Sequence, residues 1–112
     1  MQYDSLVKKI LKRESVSGEV NIVFVDDKKI RELNKKYRHK DKATDVLSFE
    51  MNEEGIVGDI AISTETTKAN AKKYGVTYEV EVRRLIIHGV LHLLGYDHGK
   101  EMRNAEKICQ KF

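Results

Sequence analysis

The alternation of apolar and polar positions divides the 112-residue chain into eight elements. Leu6, Val7, Ile10 and Leu11 recur at helical spacing and predict a short amphipathic helix over residues 4–13, capped by Asp4 or Ser5. Residues 15–18 break it. Residues 19–25 are rich in β-branched side chains and predict a strand, and the unbroken run from Ile22 to Val25 predicts burial on both faces. Asp26 or Asp27 caps a second helix to about Tyr37, with Ile30, Leu33 and Tyr37 inward. After a polar loop, residues 44–50 and 56–63 form two strands joined at the turn signal Asn52-Glu53-Glu54-Gly55. Asp59 stands among apolar neighbours in the later strand, where a carboxylate needs a partner or a function.

A third helix covers residues 64–74 and stops at Gly75. Thr77 caps a fourth over residues 78–94, whose apolar side chains, from Val80 to Leu94, cover more than one face. Such a helix belongs at the centre of a fold. A last helix spans residues 100–112, with Met102, Ala105, Ile108, Cys109 and Phe112 inward. The order is that of one α+β domain over residues 1–112. It has a small mixed β-sheet packed by about five helices, the central apolar helix among them.

Composition narrows the class. The chain is 40% hydrophobic and 35% charged, with no apolar run near the ~20 residues of a membrane span. Its first residues, Met1-Gln2-Tyr3-Asp4-Ser5, lack a signal-peptide profile, and a single cysteine suits a reducing compartment, so a cytoplasmic location is expected. The net charge of +3 is unevenly spread. Residues 28–42 hold eight basic side chains against Glu32 and Asp41, a net of +6, so the remainder sums to −3. That contrast suggests a polyanionic partner; a solvated helix face is the alternative.

The chemistry concentrates in His88-Gly89-Val90-Leu91-His92-Leu93-Leu94-Gly95-Tyr96-Asp97-His98. His88 and His92 stand one helical turn apart on one face, Gly95 is a stop signal, and His98 follows where a reversing chain could return it. Three imidazoles on a tetrahedral ion leave one position for water, the pattern of a catalytic site, and zinc suits them best. Asp97 is placed to orient an imidazole, or is a simple turn carboxylate. The rival reading, histidines bonded to helix-terminal carbonyls, explains His98 but not His88.

The histidine stretch resembles the signature of the YbeY family of metal-dependent endoribonucleases. So do Tyr37-Arg38-x-Lys40-Asp41, then Thr44-Asp45-Val46-Leu47-Ser48-Phe49, then Gly58-Asp59-Ile60, in the family's order. The resemblance implies that His88, His92 and His98 hold one zinc ion per chain and that Arg38 engages RNA in a catalytic cleft. It further implies cleavage of single-stranded RNA, 3′-end processing of small-subunit ribosomal RNA, and ribosome maturation and quality control on the small subunit. Two departures stand out. Ala43 and Glu50 replace prolines usual in the family. The usual first strand and a longer C-terminus are missing, so one sheet edge is expected to be reduced.

The same spacing also resembles the zinc-peptidase pattern, but Gly89 stands where a peptidase has its glutamate base. Glycine there is expected to open room beside the ion for a phosphodiester. Lys35, Lys36, Arg38, Lys40 and Lys42 are the candidate RNA-binding cations. Tyr37 or Phe49 could stack a base, though core positions are the simpler reading. Asp59 is a possible acid or base, or a structural carboxylate; Thr44 and Ser48 could touch phosphate. His39 reads as an exposed bystander and Cys109 as core. A peptidase-like hydrolase, and a ribosome-associated RNA-binding factor with a structural metal, remain as alternatives.

Overall fold

The structure, a computed structural model, describes residues 3–112; Met1 and Gln2 of the expected N-terminal segment lie outside the described residues. The order is α1 (Asp4–Arg13), β1 (Glu19–Val25), α2 (Asp27–Arg38), β2 (Val46–Glu53), β3 (Ile56–Ser63), α3 (Thr64–Tyr74), α4 (Tyr78–Leu93) and α5 (Lys100–Cys109). Three strands form one mixed sheet in the order β1-β3-β2, with β1 parallel and β2 antiparallel to β3. The α+β architecture expected from the pattern is the one observed.

Alternation along β3 assigns its two faces. Ile60 and Ile62 join the main core, which α4 supplies from Val82 to Leu93 and α1 and α5 complete with Leu6, Ile10, Met102 and Cys109. Ala61, one residue out of phase, packs with Ile30 and Leu47 in a smaller cluster on the opposite face, beneath α2. The sheet is therefore covered on both faces, and α4 is the central helix. Thr77 caps it by accepting from the Val80 amide at 3.1 Å, and Asp26 caps α2 through the Lys29 amide at 2.8 Å.

Four expectations change. Ile22 is buried, but Val23 and Phe24 are 51% and 41% exposed; β1 is an edge strand, and an apolar run does not reveal which neighbour is absent. Tyr37 is also 51% exposed, because α2 outruns its small core after Leu33. The cap of α1 is Tyr3, without a side-chain bond, and Asp4 enters the first turn instead. Val80 and Ile108 face solvent, at helix turns that overhang the core. Cys109 is buried as expected.

Candidate metal centre

The rings of His88 and His92 meet on one face of α4, with their Nε2 atoms 3.1 Å apart. Gly95 then adopts φ +95°, a left-handed conformation natural to glycine. Its amide donates to the His92 carbonyl, and the Tyr96 amide donates to that of Leu91, both at 3.1 Å. This pair of bonds is a Schellman stop. It turns the chain so that the His98 ring lies 5.7 Å from His88 and 5.1 Å from His92, centroid to centroid. One nitrogen from each ring falls within 4.8 Å of the others. The Tyr96 hydroxyl donates to Glu14 Oε1 at 2.7 Å and so fastens the returning loop to the end of α1.

These donors fit a metal ion. A tetrahedral ion with bonds of about 2.0–2.1 Å sets two ligand nitrogens roughly 3.3–3.4 Å apart, close to the His88–His92 separation. Burial, followed by the charges of His88 and His98, lowers the pKa of His92, while the Tyr96 backbone and Asp97 work the other way. The neutral imidazole that results is the ligating form. The carboxylate that meets an imidazole is Glu106 on α5, whose Oε1 is 3.0 Å from His88 Nδ1. Donation from Nδ1 leaves Nε2 free to face the cluster. Glu106 escaped the sequence reading because it lies eighteen residues from His88; its one signal is its place beside the inward stripe of Met102, Ala105 and Cys109. Asp97 lines the same cleft, exposed.

The cleft holds about 940 Å³, and Tyr37, Arg38 and Phe49 line it together with the three histidines. Arg38 is the last residue of α2. Its guanidinium donates to the Ser48 carbonyl and lies over the Phe49 ring, 5.3 Å from the centroid. Ser48 Oγ in turn donates to the Gly89 carbonyl of α4 at 3.0 Å. Ser48 thus ties the arginine wall to the histidine wall. Thr44 lines the cleft as well.

The sequence profile described as Endoribonuclease YbeY matches residues 1–111. The chain belongs to the YbeY family. It is 55% identical over 94 residues to Endoribonuclease YbeY of Aquifex aeolicus, covering 80% of this chain and 63% of that protein. It is 44% identical over 101 residues to the protein of the same name from Bdellovibrio bacteriovorus, covering 90% and 66%. The chain therefore spans a little under two thirds of the length of these two relatives. A solution structure from Thermotoga maritima shares 35% identity and superposes with a TM-score of 0.71, over 96% of this chain and 76% of that one.

Other positions of the YbeY pattern take different places. Asp59 lies on the sheet face opposite Ile60 and accepts from Asn21 Nδ2 at 3.0 Å; it is not among the residues lining the histidine cleft. Lys35, Lys36, Lys40 and Lys42 are exposed outside that lining. Arg31 is paired with Asp41 at 2.8 Å and Lys29 with Glu32 at 4.0 Å, so part of the basic segment is neutralised locally. His39, exposed with φ +58°, caps the C-terminus of α2. Gly89 opens no room beside the ion. A Cβ there would stand 3.0 Å from Ile60 Cδ1 and 3.2 Å from Ser48 Oγ, so the missing side chain is the space that lets α4 rest on β2 and β3. A glutamate at this position would have to push Ile60 and Ser48 aside. No described helix is long and apolar enough to cross a membrane.

Proposed function

We propose that this chain is a zinc-dependent endoribonuclease acting on single-stranded RNA. The observation that carries the reading is the cleft in which three convergent imidazoles face the guanidinium of Arg38. An ion held by His88, His92 and His98 would supply a water acidified to a pKa near 7 and a Lewis acid for a phosphoryl oxygen. Arg38 offers the planar fork that binds two phosphate oxygens. Its bond to Ser48 and its place over Phe49 fix that fork in the cleft wall before substrate arrives. The exposed Lys35, Lys36, Lys40 and Lys42 attract the flanking backbone, and binding falls steeply with salt. Three carboxylates, Asp45, Glu50 and Asp97, line the cleft; Asp97, next to His98, is the one we assign to proton transfer, a role Asp59 cannot take from outside that lining. The substrate in the cell is then ribosomal RNA, at the 3′ end of the small-subunit species, with the small subunit in the cytoplasm as partner; the names of the relatives support the endoribonuclease part of this reading.

The test offers zinc-loaded protein a single-stranded RNA and, separately, casein. RNA is cut, casein is not, and Arg38→Ala slows RNA cleavage about 10–100-fold, the worth of hydrogen bonds to a charged group. Cleavage unaffected by Arg38→Ala overturns the assignment of the arginine. RNA bound but never cut by the zinc-loaded protein overturns the enzyme and leaves a binding factor.

A further inference from the structure

Tyr37 is the one large aromatic ring that the cleft exposes beside the histidines among the described residues: half of it is open to solvent, whereas Phe49 and Tyr96 are partly buried. Helical phase from Ile30 and Leu33 would send it inward, but α2 has passed its core at that point. The ring instead leans edge-on against Phe49, with centroids 5.3 Å apart and planes at 66°. Phe49 is itself covered by the Arg38 guanidinium. Arg38, Phe49 and Tyr37 therefore form one continuous wall, cationic at one end and aromatic at the other. The Lys36 ammonium lies 5.2 Å from the Tyr37 centroid. An exposed cation–π contact of this kind is weaker than a stacked base, so a base displaces the lysine, which is then free for a phosphate.

We propose that Tyr37, braced by Phe49, is a nucleobase-stacking subsite. It takes the base of a nucleotide next to the phosphate that Arg38 holds. This rests on the RNA reading above. Tyr37 and Arg38 are consecutive, so one nucleotide spans the wall with its sugar–phosphate toward the cation and its base on the ring. A π face is common to all four bases, so the subsite tolerates any of them. It does require an unpaired base, because a base stacked within a duplex cannot reach a ring set into a cleft wall. Single-strand selectivity then comes from this ring rather than from the histidines.

The experiment measures binding of a short single-stranded RNA to the zinc-loaded protein by stopped-flow anisotropy, before turnover, with one abasic nucleotide moved along the RNA. Tyr37→Ala weakens binding about 10-fold, Tyr37→Leu does the same, and Tyr37→Phe or Tyr37→Trp restores it. At one position the abasic RNA binds wild type about 10-fold more weakly and shows no further loss with Tyr37→Ala. A merely structural Tyr37 would lose the same factor with every RNA. The inference is overturned if Tyr37→Leu, folded by circular dichroism, binds as tightly as wild type, or if no abasic position cancels the effect. If wild type fails to bind RNA at all, the functional reading fails and the subsite with it.

Discussion

Glu106 Oε1 lies 3.0 Å from His88 Nδ1 and joins the last helix to the first of the three clustered imidazoles. Both side chains are about four-fifths buried. The carboxylate fixes the ring's orientation and tautomer, an effect typically worth 10–100-fold in metal affinity. Glu106→Ala is therefore expected to weaken zinc binding by about that factor while the fold persists. Competition with a chromophoric chelator measures it. Unchanged affinity would show that His88 needs no such partner.

Gly58 sets how closely the sheet approaches the histidine helix. A Cβ there would stand 2.5 Å from the Phe49 carbonyl oxygen and 2.6 Å from Leu93 Cδ2. A backbone carbonyl in a strand cannot swing away. Gly58→Ala is expected to cost roughly 2–3 kcal/mol, the upper range for overpacking, read as a lower urea midpoint at unchanged slope.

Glu81 is a carboxylate only 1% exposed inside α4. Arg84 meets it with Nε and Nη2 at 2.8 and 2.7 Å. Asn70 Nδ2 bonds both Glu81, at 3.3 Å, and Asp45, at 3.2 Å, at the rim of the cleft. Arg84→Ala leaves a buried carboxylate uncompensated and is expected to destabilise by about 3 kcal/mol, the lower end for buried pairs because the arginine is partly exposed. Replacing Glu81 by Leu in the same protein should recover most of that loss in chemical denaturation.

Asp27 ties α2 to α3. Hydrogen bonds from the Ser63 and Thr66 hydroxyls lower its pKa. The ionised form is thus the one favoured by folding. Its contribution is complete above the unfolded aspartate pKa of about 3.9 and is lost as pH falls through the lower folded value. The stability difference between wild type and Asp27→Asn should be constant at neutral pH and shrink below about pH 4. A difference that does not change between pH 6 and pH 2.5 would contradict this.

What the chain displayed most clearly was periodic. His88 and His92 one turn apart, then Gly95, marked the cluster, and the apolar positions of α4 marked the central helix. Relations between distant residues were not displayed. Glu106 reaches His88 from α5, and Glu14, just past α1, holds Tyr96 in the returning loop; nothing in local spacing points to either. Tyr37 and Val23 had the right phase for burial, but phase does not tell where a small core ends. Gly89 was legible as the absence of a glutamate. Its physical reason, the approach of Ile60 and Ser48, needed the packed sheet.

The central claim, that an ion on His88, His92 and His98 cuts RNA, is tested by His92→Ala. Folding is followed by circular dichroism, metal content by elemental analysis and cleavage on single-stranded RNA. The account predicts a folded variant that loses its zinc and its cleavage together. A folded, zinc-free variant that still cuts RNA at the wild-type rate would contradict it.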